Sequence, residues 1–225
     1  MRFEKWIPAF AAMTVNGIFG PSMSLLCKQE SRNCETIVFN QIEICYNSCM
    51  ATQTSEKDLD LTEIINGVEV MGPSPFGKHQ NISANIFRKI DRHIEKTRAG
   101  KVYYSPLDVI LEEKQQKLQP DILFIRKENM SIFQDFIRGV PDMVCEIVSK
   151  GSHAKDTLTK KKVYEKFKVP EYWIVLPELE TIEVLTIEGD AYELFSLAEG
   201  EGIVKSKVIE GLEIDVKDVF EDFSL

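Results

Sequence analysis

Positive charge is in short supply in this chain: 27 Lys and Arg stand against 36 Asp and Glu, a formal net charge of −9 over 225 residues. That balance excludes a protein that coats nucleic acid by bulk electrostatics, because phosphate attraction needs concentrated Lys and Arg. A local basic face stays open. No apolar run is long enough to span a bilayer, and no segment repeats at the periods of solenoids. Cysteine is nearly absent after residue 49, where Cys145 stands alone. The gaps between Cys27, Cys34, Cys45 and Cys49 do not give the paired short spacing that zinc favours. What is present is ordinary for a soluble globular protein, 44% hydrophobic and 28% charged, in a length that allows one mixed domain with a sizeable core.

Residues 1–49 read differently from the rest. Their opening stretch follows no period of 3.6 or 2, and Pro8 and Pro21 interrupt the apolar segment that a signal peptide would need. The words WIPAFAAMT resemble a translated intergenic repeat of bacterial genomes, and Met50 follows the cysteine-rich part directly. Residues 1–49 are therefore expected to be an unstructured extension or a product of a start codon assigned too far upstream. Residues 50–225 are expected to form the folded domain.

From Asp58 onward the pattern is regular. LTEIINGVEVM reads as two short strands around Asn66-Gly67, a pair that adopts the positive φ angles of a tight hairpin. Ile82, Ile86, Ile90 and Ile94 recur every four residues and predict one buried helical stripe, on which His79 also falls. VYYSPLDVIL and, after the polar EEKQQKLQ, DILFI are strand candidates. TIEVLTI and AYELFSL flank Glu188-Gly189-Asp190 as a second hairpin.

The informative stretch is Met143 to Val148, a continuous apolar run with β-branched residues, the signature of a strand covered on both faces. Alternation puts Glu146 on one face with Val144 and Val148, so its carboxylate points at protein and needs a cation or donors to be tolerated. One strand earlier, Asp121 stands at the mouth of Ile122–Ile125. If the two strands are neighbours, Asp121 and Glu146 converge. The following DTLTKKKVYEKF offers the cation. With Asp156 set at 0° and about 100° per residue, Lys160 falls near about 40°, among Val163, Tyr164 and Phe167, whereas Lys161, Lys162 and Lys166 fall off that stripe. Two carboxylates able to bind Mg²⁺ or Mn²⁺ and a lysine aimed at them are the parts needed to activate water against a phosphodiester.

Pro120-Asp121-Ile122, the run from Gly139 to Ser149, then Asp156, Lys160 and Tyr164, and finally Val169 to Val175 together resemble the Uma-two family of restriction endonucleases, within the PD-(D/E)xK nuclease superfamily. The resemblance covers about residue 58 to the C-terminus and includes His79. It implies an α/β restriction-endonuclease-like core, a mixed sheet with helices on both faces and added β-hairpins. It also implies Asp121 and Glu146 as metal ligands. The superfamily lysine stands two residues after the acid, where this chain has Val148, so Lys160 would be a migrated replacement. Leu176 and Lys150 depart from the family pattern, which has Asp and Pro there, and neither is an expected ligand.

The expected function is thus a Mg²⁺- or Mn²⁺-dependent DNA endonuclease, cytoplasmic, with no membrane partner, and the sequence admits a homodimer. Asp121, Glu146 and Lys160 are its expected catalytic residues; His79, Asp142, Asp156 and Tyr164 are expected to support them. Asp142 is open between a turn residue and a further ligand, Asp156 is open to a helix N-terminal role, and Tyr164 to a core aromatic. The alternatives are a catalytically silent nucleic-acid-binding or accessory protein that keeps the fold, and a structural domain in which Glu146 and Lys160 form a buried pair.

Overall fold

The computed structural model describes residues 61–71, 76–148 and 155–221, the last stretch with side chains from residue 158 onward. The expectation for residues 1–49 lies outside these, as do Ser149 and Lys150. The described residues belong to one compact unit, Asp60–Leu225.

The first hairpin forms as its sequence demands. β1 (Thr62–Ile65) pairs antiparallel with β2 (Val68–Met71), and Asn66 and Gly67 take φ of 53° and 76° between them. The isoleucine stripe winds α1 (Gly77–Thr97), with Ile82, Ile86, Ile90 and Ile94 all buried. Arg98 closes that helix in the left-handed conformation, its N–H donating to the Ile94 carbonyl. The run VYYSPLDVIL, expected as strand, breaks into β3 (Gly100–Tyr104) and β4 (Val109–Glu112), which join different sheets. Pro106 stands in the break and has no N–H to give a ladder. The polar EEKQQKLQ supplies a further strand, β5 (Gln116–Leu118), whose Gln116 is buried and hydrogen-bonded to Asn66 of the hairpin turn.

β6 (Ile122–Arg126) and β8 (Met143–Ile147) are the buried centre, with β7 (Ile137–Arg138) between them in sequence. After α2 (Lys155–Lys166) come β9 (Glu171–Leu176), β10 (Thr181–Glu188) and β11 (Ala191–Glu199). The second hairpin turns at Gly189, whose φ is 62°. β12 (Ile203–Lys205), β13 (Glu213–Asp215) and α3 (Lys217–Phe220) complete the chain. A six-stranded mixed sheet runs β11-β10-β9-β8-β6-β3, antiparallel except for the parallel β8–β9 pair, and a five-stranded sheet runs β2-β1-β5-β4-β7.

Two cores sandwich the larger sheet. One holds the α1 isoleucines, Val102, Phe124, Cys145, Trp173 and the C-terminal segment through Val219. The other holds Val163 and Tyr164 of α2, Leu123, Val144 and Tyr172, and Ile65, Val109, Leu118 and Ile137 of the smaller sheet. Helices therefore cover both faces, as a restriction-endonuclease-like core requires. No helix among the described residues is long and apolar enough to cross a membrane.

A second buried carboxylate ties distant segments of the fold together. Glu171 is fully buried and accepts hydrogen bonds from the Trp173 indole at 2.7 Å, the Ser206 hydroxyl at 2.7 Å and the N–H groups of Lys207 and Val208 at 2.6 and 3.0 Å. Four donors answer this charge, and they tie β9 to the C-terminal segment. Glu171→Ala strands them all and is expected to cost about 2–4 kcal/mol, read by urea unfolding. A loss under about 0.5 kcal/mol would show that water replaces the carboxylate.

Candidate active site

The site forms where β6 begins and β8 ends. Ile122 pairs with Cys145, so one step further along that antiparallel register sets Asp121 opposite Glu146. The Ile147 N–H donates to Asp121 Oδ2 at 2.7 Å, which ties the first acid to the strand carrying the second. The first turn of α1 brings His79, whose Nε2 lies 3.3 Å from the same Oδ2.

Glu146 is buried, and α2 answers it as the helical arithmetic requires. Lys160 Nζ donates to both of its carboxylate oxygens at 3.1 Å, and the Tyr164 hydroxyl donates to Oε1 at 2.8 Å. Of the other described lysines of that helix, Lys161 is half-buried, Lys162 is exposed, and Lys166, 65% exposed, pairs with Glu112 at 3.6 Å.

A residue that sequence reasoning missed completes the arrangement. Glu63 Oε1 of β1 lies 2.9 Å from Lys160 Nζ and also accepts the Gln119 N–H at 2.7 Å. Lys160 is thus held by three carboxylate oxygens from two strands in different sheets. The signal was present in the hairpin: Glu63 alternates with Ile65, which is buried, so its carboxylate stands on the inward face of β1.

Electrostatics follow from this crowding. Burial pushes the Glu146 carboxyl up to about 7; the Lys160 ammonium opposes that, and the charges of Asp121 and Glu63 add to it. Burial works against charge on Lys160 as well, but Glu146 and Glu63 outweigh it and raise its pKa, so the ammonium stays charged. His79 is likewise raised: burial would lower it, and the hydrogen bond and charge of Asp121 prevail. Burial, with the Glu146 charge behind it, holds the Tyr164 hydroxyl well above its usual value, so it remains a donor.

Asp121, Glu146, Lys160, Tyr164 and His79 are therefore brought together. Asp142 is not. It sits before β8, about 13 Å along the strand from Glu146. There it accepts the Arg126 N–H at 2.8 Å and the Asn129 amide at 3.1 Å. Asp156 lies in the first turn of α2, and its side chain is outside the described residues.

Among the described residues no three His, Cys, Asp or Glu side chains converge closely enough to hold a metal unaided. The donors nevertheless suit a hard cation. Mg²⁺ is commonly held by one or two carboxylates and keeps several waters, and Asp121 Oδ1 has no protein partner among the described residues.

The Uma2 family, described as "Putative restriction endonuclease", matches residues 49–217. Among solved structures, the "putative nuclease belonging to DUF820" from Anabaena variabilis ATCC 29413 superposes with a TM-score of 0.58 at 22% identity, covering 71% of this chain and 89% of that one. At that identity the likeness speaks for the fold. No curated protein matches the chain.

Proposed function

Since the chain belongs to the Uma2 family and shares its fold with a protein titled a "putative nuclease", we propose that it is a Mg²⁺- or Mn²⁺-dependent endonuclease hydrolysing DNA phosphodiesters. The observation that carries this reading is the convergence of Asp121 and Glu146 at adjacent strand ends with Lys160 against Glu146. Asp121 and Glu146 would hold the ion. When bound, it supplies charge stabilisation on the phosphate and a more acidic water. Lys160 orients the attacking water and neutralises charge that develops at the phosphate. Tyr164 fixes the Glu146 carboxylate, and Glu63 steers the Lys160 ammonium. Cleavage of supercoiled plasmid tests the proposal. Nicking is expected with Mg²⁺ or Mn²⁺ and is expected to vanish on chelation; cleavage that persists in chelator, or none at any metal concentration, overturns it.

One observation favours a second reading. Lys160 is already paired with Glu146 and Glu63, which suits a buried ion pair in a protein that keeps the nuclease fold without the chemistry.

A further inference from the structure

We propose that His79 is a positioning residue which, with the Ile147 amide, pins one oxygen of Asp121 and so leaves the other as the atom presented to a cation. This inference rests on the metal-dependent reading above. Asp121 Oδ2 meets two donors, the Ile147 N–H at 2.7 Å and His79 Nε2 at 3.3 Å. A hydrogen bond from one side and an ion-pair contact from the other hold that oxygen and oppose rotation of the carboxylate about its last bond. Oδ1 has no protein partner among the described residues, so the carboxylate offers a single oxygen and a fixed direction. A cation is then taken by one oxygen of Asp121, not clamped by two.

The supports are themselves rigid. His79 stands in the first turn of α1, three residues before Ile82, and Ile82 and Ile86 are buried in the core. Its side chain is 12% exposed and that of Asp121 18%, so little water competes for their contact. The imidazole is engaged through Nε2, and its buried Nδ1 has no partner among the described residues. His79 thus acts on a metal through Asp121 and not as a ligand.

Mn²⁺ titration by calorimetry on the full chain, beside thermal melts without metal, separates the outcomes. Glutamine can place its amide nitrogen where Nε2 stands, whereas asparagine reaches only the Nδ1 position. His79→Gln is therefore expected to keep the Mn²⁺ dissociation constant within about threefold, while His79→Asn and His79→Ala weaken it about ten- to hundredfold, the range found when a group orienting a ligand is lost. The metal-free melts of the Gln and Asn variants are expected to agree. Should His79→Ala not fold, the Gln and Asn pair carries the test alone. Wild-type affinity in all variants overturns the inference and leaves the metal site standing, and so does equal weakening in Gln and Asn. A wild type that binds no Mn²⁺ overturns the metal-dependent reading and this inference with it.

Discussion

Glu146→Gln is expected to abolish both Mg²⁺-dependent cleavage and stabilisation by Mg²⁺ while leaving the metal-free fold within about 1 kcal/mol of wild type. The amide keeps the shape, and its oxygen can still accept from Lys160 or Tyr164. Lys160 is not stranded, because Glu63 remains 2.9 Å away. In the wild type, ligand linkage gives a gain of about 1–3 kcal/mol at ten- to hundredfold excess of metal over its dissociation constant. The pH dependence adds a second readout. The Glu146 carboxyl is raised from 4.5 to about 7, so between those values the native protein keeps a proton that the unfolded chain has lost. Metal-free stability should fall as pH rises through that window, by up to about 1.4 kcal/mol per pH unit, and level off above it. Glu146→Gln lacks this slope. Melts of both proteins from pH 5 to pH 8, with and without Mg²⁺, measure all of it. A mutant destabilised by about 3 kcal/mol or more, beside a wild type indifferent to metal, would establish the buried ion pair and refute the metal role of Glu146.

Lys160→Met should lower cleavage about a hundredfold or more, whereas Lys161→Ala and Lys162→Ala should change it by less than about threefold. Methionine keeps the buried stem and removes only the ammonium. Glu146 and Glu63 then face each other without their shared counter-charge, at a cost of about 3 kcal/mol near pH 8. That cost should shrink towards pH 5, where Glu146 holds its proton. Single-turnover cleavage and urea unfolding at the two pH values check the prediction. Equal losses in all three variants would instead mean a diffuse basic surface that contacts DNA.

Much of this site was legible because its signals are local. Four isoleucines at one spacing specify the buried face of α1 whatever packs on it, and an unbroken apolar run specifies β8 and turns Glu146 inward. One helical turn separates Lys160 from Tyr164 and fixes which lysine of α2 faces the core. The turn chemistry of Asn66-Gly67 sets the first hairpin.

Other features depend on partners far away in the chain, and no local period records them. Glu63 meets Lys160 across 97 residues of sequence. Only the packing of the smaller sheet against α2 and the larger sheet brings them together. Gln116 stands in a polar run with no strand period, and it lies in a strand where its side chain is satisfied by Asn66, 50 residues away. Val102–Leu111 reads as one strand because periodicity does not record which sheet each half joins. Asp142 shares its face with Glu146, yet strand rise alone carries it out of reach of the site. Glu171 shows the limit most plainly. The sequence marks Glu146 as the carboxylate that needs an answer, but Glu171 is buried as deeply and is answered by donors from residues 173 to 208. Burial of a charge can be read from a pattern of neighbours. What satisfies that charge, a cation in one case and a cluster of N–H and O–H donors in the other, is decided only when distant segments meet.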